Sequence, residues 1–379
     1  MRIAYIAAGA AGMYCGTCIH DNTLAAALQR MGHEVALIPT YTPIRTDEVD
    51  VSGRRVFFGG INVFLQQKIA LFRHTPWGFD RMLDAPGLLR WLSRFSASTS
   101  ARDLGELTVS VLEGEHGHQA KELEKLVQWL REDFKPDIVQ LTNAMFVGLA
   151  ARIREVLDVP VITALQGEDV FLEQLVEPYR KKAFQLLADR GKDSSAFIAP
   201  CEYYREVMSG TLEVARDRIH VVRPGLNLTG HGAAPEPKAD EPFVIGYLAR
   251  IAPEKGLDEL ADAFHILASR VGQERVLLRV AGYLGKKDEP YLEEIRSRIQ
   301  SRGLDDRFEY IGEIDRDRKV AFLNSLHVLS VPAPYKDPKA RYVLEALANG
   351  VPVVEPDHGV FPELVTATGG GILVDPGSS

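Results

Sequence analysis

The chain has 379 residues, more than one ordinary hydrophobic core encloses, so two or three domains are expected. Apolar residues at 46% and charged residues at 25% match a globular protein in water, and a formal net charge of −8 argues against a dedicated nucleic-acid binder. No apolar run reaches the length of a membrane span, and three cysteines make no disulfide framework, which favours a reducing, cytoplasmic setting.

The N-terminal half alternates strands and helices. The opening MRIAYIAAGAAGM has too short and glycine-broken an apolar core for a signal peptide. It predicts a strand over Arg2–Ala8 and a loop, GAAGMYCGTC, leading into the helix HDNTLAAALQRMG. Gly32 and His33 stop that helix, and Glu34–Pro39 is the next strand. An amphipathic helix is expected over Ala120–Phe134, then the strands KPDIVQLTN and VPVITALQ. Their apolar runs do not alternate, which suits a parallel sheet covered on both faces. A helix over 179–190, the strand SSAFIAP and the segment IHVVRPGL complete this half. The βαβα order implies a doubly wound sheet over residues 1–226.

Residues 227–242, NLTGHGAAPEPKADEP, hold no apolar period and read as a linker. The sequon Asn227-Leu-Thr229 within them is a chance match in a cytoplasmic chain. A second alternation fills 243–379. Its strands are FVIGYLA, RVLLRVAG, FEYIG, HVLSVPA, VPVVEP and GGGILVDP; its helices are LDELADAFHILASR, EPYLEEIRSRIQSRG, RKVAFLNSL and YVLEALANG. The expected fold is therefore α/β, with two facing Rossmann-like doubly wound domains and a ligand cleft between them. A domain of this kind ordinarily continues with more helix, so the C-terminus is expected to be incomplete.

Chemistry concentrates in two segments of the second half. In GYLARIAPEKG, Arg250 and Lys255 follow a strand and precede a helix. That is the carboxyl edge of an open α/β sheet, where ligands bind and helix-start N–H groups favour anions. Arg250 can fork onto two phosphate oxygens and Lys255 adds a compact charge; taken alone, a surface Arg and Lys near a turn reads equally well. In YKDPKARYVLEALANG, Asp337 and Glu345 stand eight positions apart. Glu345, one turn into a helix, could accept both hydroxyls of a ribose, and Glu345→Ala is then expected to weaken nucleotide-sugar binding strongly while leaving the fold intact; the plain alternative is an exposed helix residue. Asp337 lies in the loop before, within reach of sugar hydroxyls, and the amides near Arg341 and Tyr342 suit a phosphate.

Together with AGYLG (281–285), FEYIGEI (308–314) and HVLSVPAPYKDPKARYVLEALANGVPVVEPDHGVFPELV (327–365), these segments resemble retaining glycosyltransferases of the large family 4, which have the GT-B fold. The resemblance covers nearly the whole chain. It implies that Arg250 and Lys255 hold the donor diphosphate, that Glu345 holds the ribose, and that Asp337 contacts the donor sugar where the family carries Glu. It also implies that the base rests near Ile311, Gly312 and Glu313. The Gly-rich loop with Gly12 and Gly16 matches the family's loop after the first strand; its glycine spacing is wrong for the Gly-x-Gly-x-x-Gly dinucleotide fingerprint. In ITALQGEDVF, Gln166 stands where the family has His, followed by a matching Gly167 and Asp169. Glutamine can donate and accept a hydrogen bond but cannot titrate. His20, His116 or His118 could supply an imidazole instead, or be ordinary loop histidines.

Other pieces carry two readings each. Cys15 and Cys18 form a Cys-x-x-Cys at a helix start, a redox setting or simple packing. Asp315-Arg-Asp317 reads as a helix-capping cluster before a metal site, so no metal is expected. Residues 63–95 mix Phe, Trp and Leu with Arg73, Arg81, Arg90 and Arg94, which fits an acceptor-side or membrane-surface element, or helices covering the first domain. The expected activity is transfer of a sugar from a nucleoside diphosphate sugar to a hydroxyl of a glycan, lipid or small molecule, without a cofactor. A GT-B epimerase, a phosphorylase or a non-catalytic nucleotide-sugar binder stands beside it.

Overall fold

The computed structural model describes residues 1–9, 16–53, 55–59, 63, 66, 67, 101–232 and 241–376. Gly12, Cys15, the 233–240 part of the linker and nearly all of 63–95 lie outside them. The chain divides into two compact units, Met1–Gly225 and Leu226–Ser379.

The first unit holds six parallel strands, β1 (Arg2–Ala8), β2 (Glu34–Thr40), β3 (Ile138–Leu141), β4 (Val161–Ala164), β5 (Ala196–Ala199) and β6 (Ile219–Val221). Their order is β2-β1-β3-β4-β5-β6. β1 shows why its run is apolar without alternation. Ala4 and Ile6 enter one core with Leu126 and Leu130, and Ile3, Tyr5 and Ala7 enter another with Cys18 and Leu37. Both faces are covered, as a parallel sheet requires. The expected helix over Ala120–Phe134 is α-helical to Trp129 and widens to a π turn over Leu130–Phe134, ended by Lys135 in the left-handed region. A helix over Ala101–Leu112 was not anticipated, nor were those over Ala150–Leu157, Glu168–Glu173 and Glu202–Leu212.

The second unit repeats the plan with β7 (Phe243–Leu248), β8 (Val276–Ala281), β9 (Phe308–Tyr310), β10 (Val328–Leu329), β11 (Val353–Pro356) and β12 (Gly371–Val374), ordered β12-β11-β10-β7-β8-β9. The helix Leu257–Val271 buries Leu257, Leu260, Ala261, Phe264 and Ala268, the stripe a 3.6-residue repeat produces. Gly256 at φ +70° admits the turn before it, and a Cβ there would overlap the Pro332 carbonyl, so the loops after β7 and β10 touch. HVLSVPA is strand only at Val328–Leu329; Ser330 onward turns into the loop carrying Asp337.

Each sheet has one place where the chain reverses its direction of travel. In the first unit it lies between β1 and β3, and in the second between β7 and β10. Loops at the carboxyl ends of these neighbouring strands diverge, and the crevice they leave is where open α/β sheets bind ligands.

Candidate functional site

In the second unit, polar side chains bridge this switch point. Lys255, after β7, places Nζ 3.0 Å from Asp337 Oδ2, after β10. Lys255 also donates to the Tyr335 hydroxyl, which donates to Asp337 Oδ2 at 2.7 Å. The ammonium lies 4.6 Å from the Tyr335 ring centroid and 5.6 Å from that of Tyr342, within cation–π range. Asp337 Oδ1 accepts the backbone N–H groups of Lys339 and Ala340 at 2.9 and 3.0 Å. Burial alone would push the Asp337 carboxyl up; the Lys255 ammonium, those two amides and the Tyr335 hydroxyl outweigh it and hold the group well below the usual carboxylate range.

Asp337 was expected to contact the donor sugar. Asp337 is 5% exposed and accepts four donors, about the full capacity of a carboxylate. Direct contact with a sugar hydroxyl would displace a partner, so Asp337 orders Lys255 and its own loop. The amides of Lys339 and Ala340 are turned onto Asp337, with Ala340 in the left-handed region at φ 42°, and Arg341 and Tyr342 open the helix that follows.

Glu345 is also buried, at 5% exposure. Its Oε1 accepts Lys319 Nζ at 2.8 Å and Arg341 Nε at 3.1 Å. The plain reading as an exposed helix residue is wrong, and the carboxylate is shared by two cations. One turn on, Asn349 donates to the Glu345 carbonyl and accepts from Gly232 N, fastening the end of the interdomain segment. Arg250 is different: its guanidinium, 43% exposed, pairs with Glu254. Gly312 follows β9 at φ +77° with open space around it, and Glu313 is half-buried beside it.

Glu355, on β11, was missed. It is fully buried; Oε1 accepts Val331 N at 3.3 Å, and Oε2 has no hydrogen-bond partner among the described residues. Burial pushes its carboxyl well up, and the Asp337 charge adds to that against the Val331 N–H and Lys255. The buried Tyr342 hydroxyl also lacks a partner among the described residues. A glutamate inside VPVVEP, a strand covered on both faces, was the available signal.

The first unit has its own polar cluster at the β1–β3 switch point. Asp21, fully buried in the helix after β1, accepts Tyr5 OH at 2.6 Å, Thr142 Oγ1 at 2.5 Å and Gln166 Nε2 at 3.0 Å. Gln166 Nε2 donates also to the Thr142 carbonyl at 2.7 Å. Both amide hydrogens are thus engaged within the unit. The Gln166 backbone N–H binds Glu168 Oε2 at 2.5 Å, and Asp169 accepts the Tyr204 hydroxyl at 2.7 Å, so the QGED loop is tied from below. Asp169 therefore serves its loop.

His116 is exposed beside Glu115, and the His118 backbone N–H binds Ser110 Oγ at 2.8 Å. Gly16 opens the helix Gly16–Arg30 on the exposed side. Cys18 is buried with Sγ directed to the Ala8 carbonyl, while Cys15 lies outside the described residues. Asp315 caps the helix Arg316–Leu323 through Arg318 N at 2.9 Å, as expected. Among the described residues no three His, Cys, Asp or Glu side chains converge as metal ligands, and no helix is long and apolar enough to cross a membrane.

Two doubly wound sheets, each with a polar cluster at its switch point, define an α/β protein of GT-B type. The chain belongs to the glycosyltransferases: residues 20–225 match the glycosyl transferase 4-like domain and residues 233–379 the glycosyl transferases group 1. It is 27% identical over 134 residues to mannosylfructose-phosphate synthase of Agrobacterium fabrum, covering 35% of this chain and 29% of that one. It is 25% identical over 201 residues to a D-inositol 3-phosphate glycosyltransferase of Jonesia denitrificans, covering 48% and 46%. It thus spans less than half the length of these two curated relatives. Among solved structures, Anabaena Alr3699/HepE in complex with UDP superposes with a TM-score of 0.65 at 18% identity over 100% of this chain and 86% of that one. Sucrose-phosphate synthase from Thermosynechococcus elongatus gives 0.68 at 17% over 99% and 86%. These likenesses bear on the fold.

Proposed function

We propose that the protein transfers a sugar from a nucleoside diphosphate sugar to an acceptor hydroxyl with retention of configuration, using no metal. The observation that carries this is the Lys255–Asp337 pair bridging the β7–β10 switch point, with Arg250 exposed on the same loop. Asp337 and the ring of Tyr335 hold the Lys255 ammonium where an anion at the carboxyl edge meets it. Arg250 leaves Glu254, a surface pair of little strength, to fork onto the diphosphate. The start of the helix at Arg341 and Tyr342 adds its positive end.

The chemistry breaks the bond from the anomeric carbon to the diphosphate oxygen and forms one to the acceptor oxygen. Negative charge develops on the leaving diphosphate, which Arg250, Lys255 and the helix start stabilise. The acceptor proton passes to a leaving phosphate oxygen, so no protein base is required. Glu345, held rigid by Lys319 and Arg341, keeps its second oxygen for the ribose. The UDP complex reported for the Anabaena neighbour supports the donor class.

Calorimetry against UDP, GDP and ADP, followed by donor hydrolysis, tests the reading. Binding of one diphosphate with slow release of sugar is expected, and absence of binding to all three sinks it. The engaged carboxylate of Asp337 favours one other reading, a nucleotide-sugar binder without turnover; binding with no hydrolysis and no transfer across a panel of acceptors would establish that instead.

A further inference from the structure

Residues 227–232 open the second unit, and Arg316 and Asn349 hold them to it. Arg316, at the start of the helix Arg316–Leu323, donates from Nη2 to the carbonyls of Asn227 at 2.8 Å and Thr229 at 2.7 Å. A guanidinium keeps its charge at any pH a folded protein meets, so this hold does not titrate. Asn349, fully buried at the end of the helix Arg341–Ala348, makes the other. Its Oδ1 accepts Gly232 N at 3.1 Å, and its Nδ2 lies 2.8 Å from the Glu345 carbonyl and 2.7 Å from His231 Nδ1.

These partners settle both the amide and the ring. Reversing the Asn349 amide would set Nδ2 against the Gly232 N–H and Oδ1 against the Glu345 carbonyl, like against like at each end. Nδ2 therefore gives one hydrogen to Glu345 and the other to His231. His231 Nδ1 is then the bare nitrogen, and the ring's proton is on Nε2. A second proton has only Nδ1 to occupy, where it would meet the hydrogen that Asn349 donates. The surroundings oppose it too. Burial and the Arg316 charge, then Lys319 from the same helix and Arg341 from the next, outweigh the Glu345 carboxylate and hold the ring below its ordinary value.

We propose that His231 is a proton-sensitive clasp: with Nδ1 bare it receives the Asn349 amide and fastens this stretch to the helix that carries Glu345, and protonation at Nδ1 releases the Gly232 end while Arg316 keeps hold of Asn227 and Thr229. The clasp is closed above the ordinary histidine value of about 6.5 and opens as pH falls below it, because the released stretch takes up the proton that the fastened one refuses. It goes beyond the sugar-transfer reading and needs no ligand.

The test is residue-resolved amide hydrogen exchange on the full chain, without ligand, from pH 7.5 to pH 5, each rate divided by that of an unstructured amide at the same pH. Protection of the Gly232 amide is expected to fall about five- to tenfold, the worth of about one hydrogen bond. The midpoint is expected below about 6.5 and shared with the His231 ring in histidine-labelled NMR spectra. The helix Leu257–Val271 should keep its protection throughout. His231→Gln offers Asn349 an acceptor that cannot titrate, so its Gly232 protection should agree within about twofold at the two extremes of pH. Asn349→Asp accepts from the protonated ring, and its protection should rise as pH falls.

Should that buried substitution fail to fold, the glutamine variant at the half-buried His231 decides the matter. Gly232 protection that is flat with pH in the parent, that falls equally in His231→Gln, or that falls only together with the helix Leu257–Val271 overturns the proposal, as does a His231 ring titrating at or above about 6.5. Binding of a nucleoside diphosphate plays no part in these readings, so the sugar-transfer reading stands or falls on its own calorimetry.

Discussion

Lys255 and the buried Asp337 form an ion pair at 3.0 Å between the loops after β7 and β10, two adjacent strands from which the chain departs in opposite directions. The pair closes the crevice floor of the second unit, and Gly256 next to Lys255 presses on Pro332 in the same loop contact. It converts two separate loops into one platform. The same pair makes the platform sensitive to charge, because each partner is the other's main compensation.

Lys255→Met is expected to destabilise the protein by about 3–5 kcal/mol at neutral pH, since it leaves Asp337 buried without its cation. The folded Asp337 carboxyl is held below its unfolded value of about 3.9. Its contribution is therefore present above that value and lost as pH falls toward the folded one. In the variant the acid-unfolding midpoint is expected to move to higher pH, read by circular dichroism. An unchanged midpoint would separate the two residues.

Glu355 has the opposite sign. Its folded carboxyl is raised by burial, so stability is full below the unfolded value of about 4.3 and declines as pH rises through the folded one. Glu355→Gln keeps an acceptor for Val331 N and carries no charge at any pH. It is expected to be about 1 kcal/mol or more stabler than the parent at pH 8 and similar at pH 4.5, by urea midpoints, each unit of pKa difference being worth about 1.4 kcal/mol. Equal pH slopes in both proteins would contradict this.

Glu345→Ala is expected to cost about 3–5 kcal/mol, because Lys319 and Arg341 would be left buried side by side. Glu345→Gln, which keeps an acceptor oxygen, should cost clearly less. The comparison by thermal unfolding decides whether Glu345 is structural as well as ligand-facing; equal and small losses would remove the ion-pair role.

Arg250→Ala separates binding from folding. The side chain is 43% exposed and its pair with Glu254 is a surface contact, so stability should change by less than about 0.5 kcal/mol. Diphosphate affinity should fall about 10- to 100-fold, the worth of one or two charge-assisted bonds. Calorimetry with the tightest of UDP, GDP and ADP reads it; unaltered affinity would take Arg250 out of the site.

The segments that carry Arg250, Lys255, Asp337 and Glu345 were legible in the chain because each is a strand–loop–helix unit, and local pattern alone places a loop at the carboxyl edge of a parallel sheet. The parallel sheets themselves were legible for the same reason: β1 and β7 are apolar without alternation because both faces are covered. Helices such as Ala101–Leu112 and Glu202–Leu212 were not, since packing against the sheet, more than propensity, makes short helices stable.

What those side chains do with their lone pairs was decided only by the tertiary structure. Lys319 reaches Glu345 from 26 positions away, Thr142 reaches Asp21 from 121, and Gln166 reaches Asp21 from 145. A hydrogen bond has a direction and a carboxylate a limited number of acceptor sites, so which group is left to meet a ligand depends on neighbours that no local spacing reveals. The residues by themselves determined two doubly wound sheets and the strand–loop–helix segments that carry the candidate residues. Folding decided that Asp337 is saturated, that Glu345 is locked between two cations, and that the Gln166 amide nitrogen is spent on Asp21 and Thr142.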